Sequence, residues 1–306
     1  MLEFEQKYYD KGKKLIVGID EVGRGPLCGP VVAASVILPQ SIDMPGVTDS
    51  KKLTPKKRDI LYKEIKKKAL HVGVGIVHED KIDEINILEA TMQAMRDSIK
   101  DLKISPDVLL VDGNIKPLTD IEQESIIKGD SKSISIAAAS IIAKVTRDRM
   151  MAQYDLIYPG YGLARNMGYG TKEHMTGIKE KFSTPIHRKS FKPTSDFLPT
   201  FNDIKDFNKL SIQIAATDLV KKGHEIHSIF NNEIETIDIF SSYNDMYYSF
   251  AVDNKTIEIN AKGMEIEGEK LIKTIKGKKD ITSSINMSVI SVQFSKDKPV
   301  INYKNL

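Results

Sequence analysis

Apolar positions follow two rhythms along the first 190 or so residues. Leu15–Ile19, Val31–Leu38, His71–Val77 and Val108–Gly113 are short runs rich in branched apolar residues, which is strand-like, and the last ends in an aspartate and a glycine. Between them the spacing turns helical. Thr54-Pro55 is an N-cap followed by proline at the first helical position, and predicts a helix to about Leu70 that buries Leu61 and Ile65. Leu88, Met92, Met95, Ile99 and Leu102 fall on one stripe and predict a second helix over Ile87–Leu102. A third, Ser135–Tyr154, opens with SIAAASIIA, apolar and small all round, so it should lie buried against a sheet. Strands alternating with helices imply an α/β layer architecture.

The pattern changes after Phe191. KPTSDFLPTFNDIKDF mixes prolines, polar residues and aspartates, as a linker does. A different unit of about 100 residues follows. It has a helix at Leu210–Lys222, then strand-like segments at Glu235–Phe240, Tyr247–Val252 and Ser288–Phe294. The expected division is residues 1–198, a linker at 199–207, and a second small α/β domain at 208–306. No internal repeat or long low-complexity tract interrupts either part.

Composition narrows the class. With 41% hydrophobic and 28% charged residues the chain has the make-up of a globular protein. No apolar run reaches the roughly 18–20 residues of a membrane span, so no membrane partner is expected. MLEFEQKYYDKGKK lacks the apolar core of a signal peptide, and the single Cys28 excludes an internal disulfide. Both fit a reducing cytoplasm. A net charge of +3 neither demands nor excludes nucleic acid. Local clusters at Lys51-Lys52, Lys56-Lys57-Arg58, Lys66-Lys67-Lys68 and His187-Arg188-Lys189 bear more on that question, although each taken singly reads first as a solvated face.

The chemistry concentrates in acids at strand ends. Asp20 and Glu21 end an apolar run and are followed at once by Gly23-Arg24-Gly25. Two adjacent carboxylates leaving a core are costly unless a cation neutralises them. Asp112 ends another strand, and Asp130 lies in a polar turn before the buried helix. Gathered at one sheet edge, these four would offer the hard oxygen ligands that suit Mg²⁺ or Mn²⁺. Two such ions stabilise the attacking and leaving oxygens of a phosphoryl displacement. Asp112-Gly113 also reads as a turn, and Asp130 as a helix cap; spacing alone does not choose.

The blocks GIDEVGRGPLCGPVVAASVIL, DSKKL (Asp49–Leu53), VDG (Val111–Gly113), KGDSKSISIAAASIIAKVTRDR (Lys128–Arg149), GYGT (Gly168–Thr171) and HRKSF (His187–Phe191) occur in an order that resembles the bacterial ribonuclease HII family. The likeness spans roughly Leu15 to Pro193. It implies an RNase H-like fold, with a mixed five-stranded sheet flanked by helices. It also implies endonucleolytic cleavage of RNA in RNA–DNA hybrids and at ribonucleotides embedded in duplex DNA, as in ribonucleotide excision repair, leaving 5′-phosphate and 3′-hydroxyl ends. Asp20, Glu21, Asp112 and Asp130 would then be the metal ligands and catalytic residues. Gly23, Arg24 and Gly25 would meet the ribose 2′-hydroxyl, and Tyr169 would pack on the sugar at the junction or, failing that, stabilise a turn. Lys51, Lys52, His187, Arg188 and Ser190 would touch phosphates. His174 would either face the site or lie on a helix surface. Cys28, where the family usually has alanine, reads as a small buried residue, and Met167 stands in place of a common lysine. The chain is expected to act as a monomer.

The C-terminal hundred residues resemble the YraN family, small proteins with a restriction-endonuclease-like fold. The likeness rests on AATDLVKKGHEI (Ala215–Ile226), ETIDIF (Glu235–Phe240), SFAVDNK (Ser249–Lys255) and VINYKNL (Val300–Leu306). It implies a candidate second metal-dependent site at Asp238, Asp253 and Lys255. Three departures weaken that site: Ile212-Gln213 replaces the Gly-Glu that opens the helix, the glycine before the Glu-Ile-Asp-like strand is gone, and Asp253 is a shortened carboxylate. The alternative is a degenerate module that binds nucleic acid or a partner. For the whole chain, the alternative is a hybrid binder without activity. His224 and His227 read as surface residues.

Overall fold

The computed structural model describes residues 1–229, 237–253, 285–294 and 299–305. Two compact units divide the chain: residues 1–151, 165–175 and 186–197 form the first, and residues 152–164, 176–185 and 198–306 the second.

The first unit begins with helix α1 (Glu3–Tyr9), strands β1 (Ile16–Val22) and β2 (Val31–Ile37), helix α2 (Pro55–Lys68), strand β3 (His71–Val77) and helix α3 (Glu79–Asp101). Strands β4 (Val108–Asp112) and β5 (Glu122–Ile126) follow, and then helices α4 (Ile134–Ile157), α5 (Leu163–Asn166) and α6 (Lys172–Lys181), each of which has residues in both units. The sheet order is β3-β2-β1-β4-β5. β1 pairs antiparallel with β2 and parallel with β4, so the sheet is mixed. Val17, Ile19, Val31 and Ala33 pack on α3 residues such as Ala94 and Met95. The opposite face packs Val32, Ala34 and Val36 on Leu61 and Ile65 of α2 and on the small apolar residues of α4.

Two local devices bring α4 onto β1. Gly18 leaves no side chain in the way, since a Cβ there would lie 2.0 Å from the carbonyl carbon of Ser135. Glu5 of α1, itself buried, accepts from the backbone N–H of Ser135 (3.0 Å) and from the hydroxyls of Ser133 (2.5 Å) and Ser135 (2.6 Å). The start of a buried helix needs such acceptors. Ser133 Oγ also accepts from the Ile136 N–H, so capping falls to Glu5 and Ser133, and not to Asp130.

Helix α3 differs from the sequence expectation. It starts at Glu79 and is interrupted at Asn86 (φ 66°), whose side chain accepts from the N–H groups of Leu88 and Glu89. Asn86 thus caps a restarted helix. Leu88, predicted on the buried stripe, lies in the first turn after that break and is exposed. Strand β5, with the polar sequence EQESI, had no sequence signal; its parallel pairing with β4 holds it in place.

The second unit contains α7 (Phe207–Lys221), capped by the Asp206 side chain, and strands β6 (Glu225–Ile229), β7 (Ile239–Tyr243), β8 (Met246–Asp253), β9 (Ile285–Gln293) and β10 (Val300–Asn305). These strands are ordered β10-β9-β8-β7-β6; β8 and β9 are parallel and the other pairs antiparallel. His224 and His227 are half-buried, not at the surface. They bond to Ser241 and Ser242 and pack on Tyr243 and Phe240. Segment 199–207, expected as linker, contains a short helical turn at Phe201–Asp203. No helix among the described residues is long and apolar enough to cross a membrane.

Candidate active site

Register assembles the acids. β1 and β4 run parallel with Ile19 beside Val111, so the next residue of each strand is an aspartate: Asp20 beside Asp112. Alternation puts Gly18 and Asp20, and likewise Leu110 and Asp112, on the face that meets α4. Asp130 arrives there from the short turn Gly129–Ser131 that leads into α4. The turn is tied to the strand by the Gly129 N–H, which donates to Asp112 Oδ1 at 2.6 Å. Asp112-Gly113 is a turn as well, with Gly113 at φ +78°.

Asp112 is within electrostatic reach of each of the other three carboxylates. Burial pushes Asp20 well above the usual carboxylate range, and the charges of Glu21 and Asp112 push it further. Glu21 is raised by burial and by Asp112, against the relief given by Arg24, 3.4 Å away. Asp130 is raised by burial, then by Asp112 and Asp49, with Lys51 opposing. The set is wider than a single tight chelate. Among the described residues, the only three side chains whose metal-binding atoms all lie within 4.8 Å of one another are Cys28, His174 and His187. An all-oxygen donor set with net negative charge, opposed by one arginine and one lysine, fits hard divalent cations and not soft ones.

The glycine loop next to the acids is held from beneath. Gly23 has φ +99°, and a Cβ there would meet the Pro30 carbonyl oxygen at 2.6 Å. Arg188, fully buried, donates to the carbonyls of Arg24 (2.9 Å), Pro26 (2.8 Å) and Gly29 (2.9 Å), and also to that of Gly23. Arg147, equally buried, donates to Pro30 (2.9 Å), Cys28 (3.1 Å) and Met167 (2.9 Å). Arg24 and Gly25 remain exposed at the rim. The exposed ring of Tyr169 stands beside them, 3.5 Å from where a Gly25 Cβ would be.

The remaining predicted contacts divide. Lys51 and Lys52 are exposed on a short helical turn (Ser50–Lys52). Ser50 bonds to Ser140 (2.9 Å), and Ser140 bonds to Asp20, which joins that turn to the acids. Ser190 is exposed and donates to Asp83 at 2.6 Å. His187 and Arg188 are buried, so the expectation that they meet phosphate is corrected: Arg188 spends its guanidinium on loop carbonyls, and His187 faces His174. His174 is buried too, not on a helix surface, and its ring meets His187 and the Tyr169 carbonyl. Sequence reasoning missed Arg147 as a loop support; an arginine on the otherwise apolar face of α4 was the available signal. In the second unit, Asp238 is half-buried and accepts from the Val252 N–H at 2.7 Å. Asp253 ends β8, and Lys255 lies outside the described residues.

A mixed sheet with helices on both faces, carrying acids at the ends of adjacent strands, defines a metal-dependent nuclease of RNase H-like fold. The sequence model of ribonuclease HII matches residues 17–194. Ribonuclease HII of Enterococcus faecalis is 56% identical over 198 residues, which are 65% of this chain and 77% of that protein. The Listeria innocua enzyme is 53% identical over 206 residues, 67% and 78% of the two chains. Among solved structures, the ribonuclease H2 of Pyrococcus horikoshii covers 60% of this chain and 96% of its own, at 27% identity and TM-score 0.53. The ribonuclease HII in the PCNA complex of Archaeoglobus fulgidus covers 62% and 100%, at 28% identity and TM-score 0.51. The chain belongs to the ribonuclease HII family and is a metal-dependent endoribonuclease that acts on RNA–DNA hybrids.

Proposed function

We propose that residues 1–198 cleave RNA–DNA hybrids, and duplex DNA containing embedded ribonucleotides, through Asp20, Glu21, Asp112 and Asp130. The in-register pair Asp20 and Asp112 carries the reading, because it puts two carboxylates side by side, with burial and neighbouring negative charge disfavouring the Asp20 anion. Mg²⁺ or Mn²⁺ held by these four would supply Lewis-acid stabilisation of the attacking and leaving oxygens. The protein's own part is positioning. The Gly129 N–H aims Asp112, Ser140 aims Asp20, and Arg24 holds Glu21. Gly23, Arg24 and Gly25 present the loop to the 2′-hydroxyl, the group that separates RNA from DNA. Tyr169 offers its ring to the adjacent sugar. Lys51, Lys52 and Ser190 contact phosphates and set orientation without reading sequence. The products carry 5′-phosphate and 3′-hydroxyl ends. A duplex with one ribonucleotide, compared with an all-RNA hybrid strand, tests the reading: cleavage of both with Mg²⁺ or Mn²⁺ supports it. Cleavage that survives Asp112→Asn refutes the site.

Residues 208–306 we read as a YraN-like module that binds nucleic acid or a partner and has lost nuclease chemistry. The mixed sheet and the helix before it support the fold relationship. The Asp238 carboxylate, already used by the Val252 N–H, supports the loss of activity. Full-length Asp112→Asn protein, incubated with plain duplex DNA and Mn²⁺, should not nick it. Nicking that disappears on adding Lys255→Ala would show the second site to be active.

A further inference from the structure

Three segments of the first unit converge on side chains that the cleavage chemistry leaves aside. Cys28 comes from the glycine loop, His174 follows Tyr169, and His187 precedes the loop-supporting arginine. All three are buried. His174 Nε2 is 4.0 Å from Cys28 Sγ and 3.0 Å from His187 Nε2. On its other side, His174 Nδ1 is 3.0 Å from the Tyr169 carbonyl oxygen. A carbonyl only accepts, so Nδ1 carries the proton and Nε2 turns its lone pair toward the thiol and the second imidazole. A ligating histidine is oriented in this way, with its far N–H on a backbone carbonyl.

We propose that Cys28, His174 and His187 form a site for one thiophilic divalent cation of the Zn²⁺ class, separate from the carboxylate site. Without the ion, His187 Nε2–H donates to His174 Nε2, and burial keeps the thiol protonated, its pKa pushed up to about 12. Binding forms a metal–sulfur bond and releases the thiol proton to solvent, while His187 moves its own proton from Nε2 to Nδ1 so that both imidazoles coordinate. Three protein donors leave one tetrahedral position for water.

The surroundings select the ion. Arg147 and Arg188 lie within electrostatic reach of Cys28, with buried Glu79 opposing them. Two guanidinium groups repel a cation held by charge alone, so Mg²⁺ gains little here. An ion that bonds sulfur and nitrogen strongly overcomes that repulsion. Its effect would be mechanical. Cys28 and His187 already pair as an isolated antiparallel bridge between two loop segments, and the Leu27 N–H reaches the Gly168 carbonyl at 2.8 Å. A bound ion would staple the Arg24-Gly25 rim to the Tyr169 segment.

Cys28 is the single cysteine, so a thiolate-to-cobalt charge-transfer absorption can come from no other site. The full chain, stripped with chelator, is titrated with Co²⁺ in excess Mg²⁺, both as the native protein and during refolding from denaturant. The expected result is an absorption that saturates at about one equivalent and vanishes when Zn²⁺ is added. Zn²⁺ should also raise the Tm of the wild-type chain. Cys28→Ala should lose the absorption and that rise while still cleaving hybrid. Absence of the absorption under both conditions, or an equal Zn²⁺-induced Tm rise in Cys28→Ala, overturns the proposal.

Discussion

The two units treat an aspartate beside a strand in opposite ways. In the first, Asp20 and Asp112 leave adjacent parallel strands side by side, and burial and the neighbouring charges of Glu21 and Asp112 disfavour the Asp20 anion. In the second, Asp238 precedes β7 and gives its carboxylate to a backbone N–H of β8. One arrangement accumulates charge that a cation must relieve; the other spends its charge on holding a sheet together. An acid at a strand end is therefore a ligand or a structural fastener according to what its neighbours leave it to do.

The sharpest way to break this contrast is a pair of substitutions. Asp112→Asn should lower hybrid cleavage by roughly a thousandfold or more while leaving hybrid binding intact. Asp238→Asn should leave the cleavage rate unchanged. Gel assays of cleavage beside binding isotherms decide the matter, and equal losses would erase the distinction between the units. Stability should move the other way round the catalytic centre. Arg188→Ala strands several buried carbonyls and should cost about 3 kcal/mol or more, read from thermal unfolding. Asp238→Ala leaves one N–H unsatisfied and should cost about 1–2 kcal/mol. A smaller effect is expected at the rim. Tyr169→Ala should lower kcat/KM on a single-ribonucleotide duplex by roughly tenfold, as loss of one stacked ring does. Tyr169→Phe should keep it.

Acidity should act with opposite signs on the carboxylate set and on His224. Asp20, Glu21 and Asp130 have raised pKa values in the fold, from burial first and with repulsion from neighbouring carboxylates, Asp112 in each case, adding to it. The folded first unit thus holds protons that the unfolded chain releases. With chelator present, its stability is greatest on the acid side and falls as pH rises from the ordinary carboxylate range through the raised values. The stabilisation gained from added Mg²⁺ should grow over the same interval. In the second unit, burial and then Lys222 lower His224 from 6.5 to about 4. There the unfolded chain takes up the proton first, so stability falls as pH drops from 6.5 toward about 4. Calorimetry across pH, with and without Mg²⁺, tests both slopes.

Much of the first unit was legible because its signals were local. The Thr54-Pro55 cap begins α2, and apolar runs mark β1 to β4. The four acids stood out because carboxylates at the ends of apolar strands are costly. Long-range features were not legible. β5 is polar and is specified by pairing, and Leu88 was misplaced because Asn86 restarts the helix by capping it. His187 and Arg188 read as a basic surface pair, yet both are buried, because carbonyls from a distant loop satisfy the guanidinium. Nothing in the order of residues announced that Cys28 would meet two histidines.

The pairing of β1 with β4 also sets how the active centre tolerates change. Side chains on a strand alternate between faces, so a slip of one residue in either strand would turn one of the two aspartates away from α4. An insertion inside Ile16–Asp20 or Val108–Asp112 should therefore silence the enzyme outright, while the long excursion between the strands leaves room for length variation. The same pairing makes activity a late event in synthesis. A nascent chain has no functional centre until β4 has emerged and aligned with a strand made much earlier.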